Sequence, residues 1–146
     1  MEDLKRILLV EDDARDVELT LAALAEISIA NKIDVVRDGA EALDYIFKQG
    51  SYKNRESDNP VVVLLDLKMP KVDGLEVLKQ VRKDDKLRNI PIVVLTSSKM
   101  ESDLIKSYEL GVNAYVVKPM EFESFTAAIK EIGSFWAILN ELPPNK

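Results

Sequence analysis

Apolar positions come in short, nearly unbroken runs at residues 6–10, 33–37, 61–65, 91–96 and 114–117, each rich in Val, Ile or Leu. Runs of this length without polar alternation predict strands covered on both faces. Between them the period changes to that of a helix. Apolar side chains recur at Val17, Leu21 and Leu24; at Ala42, Leu43, Ile46 and Phe47; at Leu75, Leu78 and Val81; at Leu104 and Tyr108; and at Phe122, Phe125, Ile129, Ile132, Trp136 and Leu139. Strict alternation of five strands with five helices predicts an α/β fold, a doubly wound five-stranded parallel sheet between helical layers.

Polar positions punctuate this pattern. Asp38-Gly-Ala-Glu41, Asp73-Gly-Leu-Glu76 and Ser98-Lys-Met-Glu101 each place a capping side chain three residues before a glutamate, which predicts helix starts with capping boxes. Asp13 reads as the N-cap of the first helix. The polar connection at residues 50–59 reads as a surface loop without chemistry.

Composition narrows the chemistry. The 146 residues fit one domain, 1–146, with 47% hydrophobic and 32% charged residues and no low-complexity tract. No apolar run approaches the roughly 20 residues of a membrane-spanning helix, so no membrane partner is expected. The acidic MEDLKRILLVEDD start is unlike a secretory signal. A cytoplasmic location is the expectation. Zero cysteines and zero histidines exclude thiolate and imidazole ligands and Ser-His-Asp triads. The net charge of −6 argues against a nucleic-acid surface. Oxygen ligands and lysine remain.

In open α/β sheets, ligands bind beyond the carboxyl ends of the strands. Here the first run ends in Glu11-Asp12-Asp13, the third in Asp66, the fourth in Thr96 and the fifth in Lys118. Singly, each has an ordinary explanation: Asp66 a turn residue, Thr96 a β-branched strand end, Lys118 a solvated charge. Gathered on one edge, the carboxylates repel one another unless a cation joins them. Magnesium suits such a set, with Glu11, Asp12, Asp66 and a backbone carbonyl near Lys68 as ligands. Lys118 would balance a phosphoryl group, Thr96 would donate to one of its oxygens, and Asp66 would be the nucleophile.

The set VEDD, LLDLKMPKVDG, VVLTSS and NAYVVKP closely resembles the receiver domains of two-component response regulators, with its landmarks in order across residues 5–130. The resemblance implies strand order 2-1-3-4-5 in a flavodoxin-like sheet. It makes Asp66 the phosphoacceptor, Glu11 and Asp12 the acid pair for Mg²⁺, Lys68 the carbonyl ligand, Thr96 the switch hydroxyl and Lys118 the phosphate-binding lysine. Tyr115 matches the switch aromatic, although a strand aromatic filling the helix-sheet layer is an equally ordinary reading. Lys118-Pro119 matches a bond that is cis in the family. Positions 68 and 98 match those that often place the hydrolytic water. Here they are Lys68 and Ser98, neither a good base, which implies slow dephosphorylation.

The C-terminal helical extension, 131–146, contains GSFWAILNELPP and is similar to single-domain regulators related to cyanobacterial phytochrome response regulators. That finer match implies a sensor histidine kinase of bacteriophytochrome type as partner. It also implies a homodimer through the fourth helix, fifth strand and fifth helix, and output by protein contacts. Within the tail, heptad spacing groups Trp136 with the core-facing residues, leaving Phe135 as the better interface candidate. Such a chain catalyses only its own phosphorylation and dephosphorylation.

Two other classes compete. A haloacid-dehalogenase-type phosphatase also uses a strand-end aspartate, but its second aspartate is replaced by Lys68. A flavodoxin-like cofactor binder needs a phosphate-cradling loop where Glu11-Asp12-Asp13 stand. Glycines at 39, 50, 74, 111 and 133 never cluster, against Rossmann and P-loop readings.

Overall fold

The computed structural model describes residues 6–29, 33–56 and 58–141, so the first residue of the expected 5–130 core and the last five of the extension lie outside the described residues. Five parallel strands form the sheet: β1 (Ile7–Val10), β2 (Ile33–Val36), β3 (Val62–Leu65), β4 (Ile92–Thr96) and β5 (Ala114–Val117), in the order β2-β1-β3-β4-β5. This is the doubly wound fold that the alternation predicts. Five helices connect and follow the strands: α1 (Ala14–Ala25), α2 (Gly39–Phe47), α3 (Gly74–Lys83), α4 (Glu101–Glu109) and α5 (Phe122–Gly133).

Side-chain alternation explains why the central strands β1, β3 and β4 are almost wholly apolar. Leu8 and Val10, Val63 and Leu65, and Ile92 and Val94 face the core shared with α2 and α3. Their neighbours Ile7 and Leu9, Val62 and Leu64, and Val93 and Leu95 face the core shared with α1 and α5. Each residue of these central strands therefore loses its water to one helical layer or the other, whereas the edge strands β2 and β5 are only partly buried and β2 carries Asp34.

Helix starts follow the sequence signals in three cases. Asp13, Asp38 and Asp73 accept from the backbone N–H of Asp16, Glu41 and Glu76. The predicted Ser98 capping box does not form. Helix α4 begins at Glu101 with Met100 at the cap position and no side-chain cap, while Ser98 Oγ donates to Asp103 Oδ2 at 2.6 Å. The hydroxyl also accepts from Met100 N–H at 3.3 Å, so it bridges the turn before the helix to the charged Asp103 acceptor rather than capping at position 98.

The same contact corrects the phase of α4. Its buried side chains are Asp103 and Ser107, whereas Leu104 and Tyr108, the predicted inward pair, are exposed together with Ile105. Holding Asp103 inward turns the helix by one residue, about 100°.

The connection at 50–59 is more ordered than a polar loop requires. It opens with a 3₁₀ turn, Gly50–Tyr52; the Tyr52 ring packs edge-on against Tyr45, and the Arg55 guanidinium lies 4.2 Å over the Tyr45 ring. Beyond α5 the chain continues as a π-helical segment, Ser134–Leu139, closed by Asn140 N–H donating to Phe135 O at 2.7 Å. The wider turn breaks the heptad phase. Trp136 packs against the α1–α5 core as predicted, but Leu139 is 70% exposed, and Phe122 at the helix start is exposed as well.

Candidate functional site

The parallel register brings the strand ends level. Val10 pairs with Leu65, and the next residue of β3's chain, Asp66, donates its N–H to Val10 O at 3.1 Å. Glu11 N–H donates to Val36 O at 3.0 Å. Glu11 and Asp66 thus follow adjacent strands and share one edge, while Asp12 is exposed beside them. Glu11, Asp12 and Asp66 each offer a carboxylate oxygen within 4.8 Å of the others.

Lys118 closes the group. Its Nζ lies 2.6 Å from Glu11 Oε1, 2.7 Å from Asp16 Oδ2 and 3.2 Å from Asp66 Oδ2. Glu11 is 2% exposed, and burial pushes its carboxyl up to about 8 against the downward pull of the Lys118 ammonium. Burial opposes charge on Lys118 too, but hydrogen bonds from its ammonium to Asp16 and Glu11 outweigh it and raise its pKa. These are the signatures of a cation-hungry acid cluster.

Thr96, fully buried at the end of β4, accepts from Ser98 N–H at 3.3 Å through its Oγ1. Tyr115 on β5 is half-buried and packs against the core on the α2–α3 face. Its hydroxyl donates to Ser98 O at 3.1 Å, so it fills the layer and also carries a polar link to the Thr96 loop. Lys68 N–H donates to Asp66 Oδ1 at 3.3 Å, and its ammonium lies 3.3 Å from Asp103 Oδ2. No cis peptide bond occurs among the described residues, so Lys118–Pro119 is trans, contrary to the isomer that the resemblance implies. Trans is the default of an X–Pro bond unless its surroundings impose the other form.

Gly74 sets the floor of the acceptor loop. Its N–H donates to Leu67 O at 3.0 Å, and a Cβ built there would meet Asp66 O at 2.4 Å and Leu67 Cα at 2.8 Å. Only glycine lets α3 begin this close to the Asp66 backbone.

Sequence reasoning missed two carboxylates. Asp16 donates its N–H to the Asp13 cap and turns its carboxylate to Lys118; its spacing from Asp13, about one helical turn, was the available signal. Asp103 had none, because a charged residue at a buried helix position runs against the apolar pattern. Phe135 and Trp136 stack edge to face at 5.0 Å on the far side from the acid edge, Phe135 being 49% exposed.

The residues present suit a hard divalent cation. Three carboxylates converge, two of them are buried, Glu11 is held far above its ordinary pKa, and the Lys118 ammonium already pairs with Glu11 and Asp66. Two clefts lie elsewhere, along α2 and the 50–59 connection, lined by Asp38, Glu41, Tyr52 and Lys71 and by Arg6, Asp34 and Arg55. Among the described residues no helix is long and apolar enough to cross a membrane.

A family model described as the response regulator receiver domain matches residues 7–130. Response regulator Rcp1 of Synechocystis sp. is 41% identical over 139 residues, spanning 95% of this chain and 93% of its own, and the Mn(2+)-bound form of Rcp1 superposes with a TM-score of 0.88 over 96% of this chain and 99% of that one. The phosphorylated cyanobacterial phytochrome response regulator RcpA is 40% identical, with a TM-score of 0.90 over 97% of this chain and 99% of its own. The bacteriophytochrome response regulator RtBRR is 64% identical, with a TM-score of 0.76 over 97% of this chain and 85% of its own.

Proposed function

The chain belongs to the response regulator receiver domain family and is a phosphoryl-accepting signalling switch; from that premise we propose that Asp66 is its phosphoacceptor. The observation that carries this reading is the convergence of Glu11, Asp12, Asp66 and Lys118 on one sheet edge, with an ammonium within 3.2 Å of the Asp66 carboxylate. Neither a phosphatase nor a flavin-type binder finds support, since position 68 holds a lysine tied to Asp103 and the first loop is acidic.

In this mechanism a carboxylate oxygen of Asp66 attacks the phosphorus of a phosphohistidine. The new P–O bond forms as the P–N bond breaks, and its electron pair leaves with the imidazole. Lys118 stays ion-paired to the growing negative charge, while the Thr96 hydroxyl donates to a phosphoryl oxygen. Glu11, Asp12, Asp66 and the Lys68 backbone carbonyl would hold Mg²⁺, which when bound offsets the charge of the carboxylates and the phosphoryl group. Water later attacks phosphorus, the P–O bond to Asp66 breaks, and the carboxylate returns. The chain turns over only its own acyl phosphate. Lys68 and Ser98 offer that water no general base, so hydrolysis is slow.

Tyr115 reports the state of Thr96 through Ser98, whose backbone touches both. A sensor histidine kinase, of bacteriophytochrome type by the names of the relatives, donates the phosphate in the cytoplasm. Output runs through protein contacts, including a homodimer that uses the apolar exposed face of α4 with β5 and α5, or the neighbouring Phe135 surface. The test is Mg²⁺ with acetyl phosphate or a phosphorylated kinase, followed by intact-mass analysis. A mass gain of one HPO₃ that disappears in Asp66→Asn is expected; no gain, or an unchanged gain in Asp66→Asn, overturns the assignment. For the lifetime, Lys68→Asn combined with Ser98→Glu should speed hydrolysis, and an unchanged or slower rate overturns the slow-hydrolysis reading.

A further inference from the structure

One buried carboxylate, Asp103, gathers the two loops that flank the acceptor. Its Oδ2 takes the Ser98 hydroxyl at 2.6 Å and the Lys68 ammonium at 3.3 Å. Lys68 stands two residues after Asp66, and Ser98 two residues after Thr96. Asp103 itself is in the first turn of α4, the helix whose inward face is polar and whose apolar residues face out. The hydroxyl holds the Asp103 carboxyl below the usual range, with Lys68 adding to the effect. In the absence of phosphate, therefore, the ammonium nearest in sequence to the acceptor is committed to α4.

We propose that Asp103 is a positioning residue that holds Lys68 away from Asp66 and ties the start of α4 to the acceptor loop, and that a phosphoryl group on Asp66 competes with it for the Lys68 ammonium. The proposal rests on Asp66 as phosphoacceptor. Physically, Lys68 is 58% exposed, so its pair with Asp103 is weak and solvent-screened. A phosphoryl group carries close to two negative charges, against one on Asp103. The stronger anion draws the ammonium, and α4 loses one of its few tethers. Linkage makes the competition reciprocal: whatever frees Lys68 from Asp103 makes it available to the phosphoryl group.

Two measurements on four proteins test this: wild type, Asp103→Asn, Lys68→Met and the double variant. Asparagine keeps the shape and the acceptor for Ser98 but removes the charge. In the unphosphorylated proteins, hydrogen exchange of the α4 amides should quicken by roughly two- to fivefold in either single variant and no further in the double. Unchanged exchange in Lys68→Met, or effects that add in the double variant, overturns the tether. After phosphorylation and removal of the donor, Asp103→Asn should keep its phosphate longer than wild type, and the gain should vanish when Lys68→Met is added. A gain that survives without Lys68, or no gain at all, overturns the competition. A merely structural Asp103 would not make the lifetime depend on Lys68. If no variant, wild type included, takes up phosphate, the assignment of Asp66 fails, and the exchange experiment still decides the tether.

Discussion

The Lys118 ammonium lies 2.6 Å from Glu11 Oε1, so the residue after the last strand is paired with the residue after the first. Around that contact the metal-free acid edge is balanced between repulsion and charge pairing, and several consequences are measurable.

Glu11 gives the metal-free protein a pH dependence of definite sign. Its carboxyl is raised from 4.5 to about 8, mainly by burial, so the folded state holds a proton that the unfolded chain releases. Its contribution is fully present below the unfolded value and is lost as pH rises through the folded one, a window from about 4.5 to about 8. Urea unfolding in chelator should show Glu11→Gln gaining on wild type by roughly 2–4 kcal/mol across that window. A divalent cation, which favours the ionised form, should flatten the wild-type slope.

Asp12 separates binding from folding. It is exposed and carries no structural hydrogen bond through its side chain among those described, so Asp12→Asn should leave metal-free stability within about 0.5 kcal/mol. Its affinity for Mg²⁺, read by calorimetry, should fall by about tenfold or more, since one of three ionic ligands is gone.

Gly74→Ala is expected to do the opposite. The added methyl meets the Asp66 carbonyl and the Leu67 backbone, so the acceptor loop must shift, at a cost of about 1–3 kcal/mol. Denaturant midpoints should fall, and phosphate uptake from acetyl phosphate should slow more than in a control of equal stability.

Tyr115→Phe keeps the ring in the core and removes only the bond to Ser98 O. Stability should drop by about 0.5–1.5 kcal/mol. If the hydroxyl also communicates the Thr96 state, the spectral change between free and phosphorylated forms should shrink while the phosphate level stays the same.

Self-association distinguishes the two apolar surfaces. Leu104→Ser with Tyr108→Ser clears α4, and Phe135→Ser with Ile138→Ser clears the π-helical segment; all four residues are exposed, so the fold should survive. Sedimentation should show a weakened dimer in the first pair if the α4 face carries it, and in the second if the C-terminal segment does.

Much of this structure is written plainly in the chain. Continuous apolar strands, aspartate caps at 13, 38 and 73, and acids, hydroxyl and lysine at the strand ends foretell the sheet and the residues on its edge, because each follows from local period and parallel register. What escaped was set by tertiary competition. Ser98 has a capping sequence, yet its hydroxyl goes to Asp103; Leu104 and Tyr108 have inward spacing, yet that same contact rotates α4; Leu139 continues a heptad that a π-helical turn interrupts. Asp16 lies one turn after the Asp13 cap, yet its partner Lys118 stands 102 residues away in the chain and only the packed fold brings the two together. Glu11, Asp12, Asp66 and Lys118 do meet on one edge, while the side chains that orient them belong to the packed molecule.

The level ends of β1 and β3 have a last implication for how such a site endures change. Val10 pairs with Leu65 on the β1–β3 ladder, and Glu11 and Asp66 are the residues that follow them. The alignment of Glu11 with Asp66 is thus set by a rung of the backbone ladder. Substitution across the outer helices can proceed for as long as the strands keep step; a single residue inserted before Asp66 would move it off that rung and dismantle the ruler by which the site is measured.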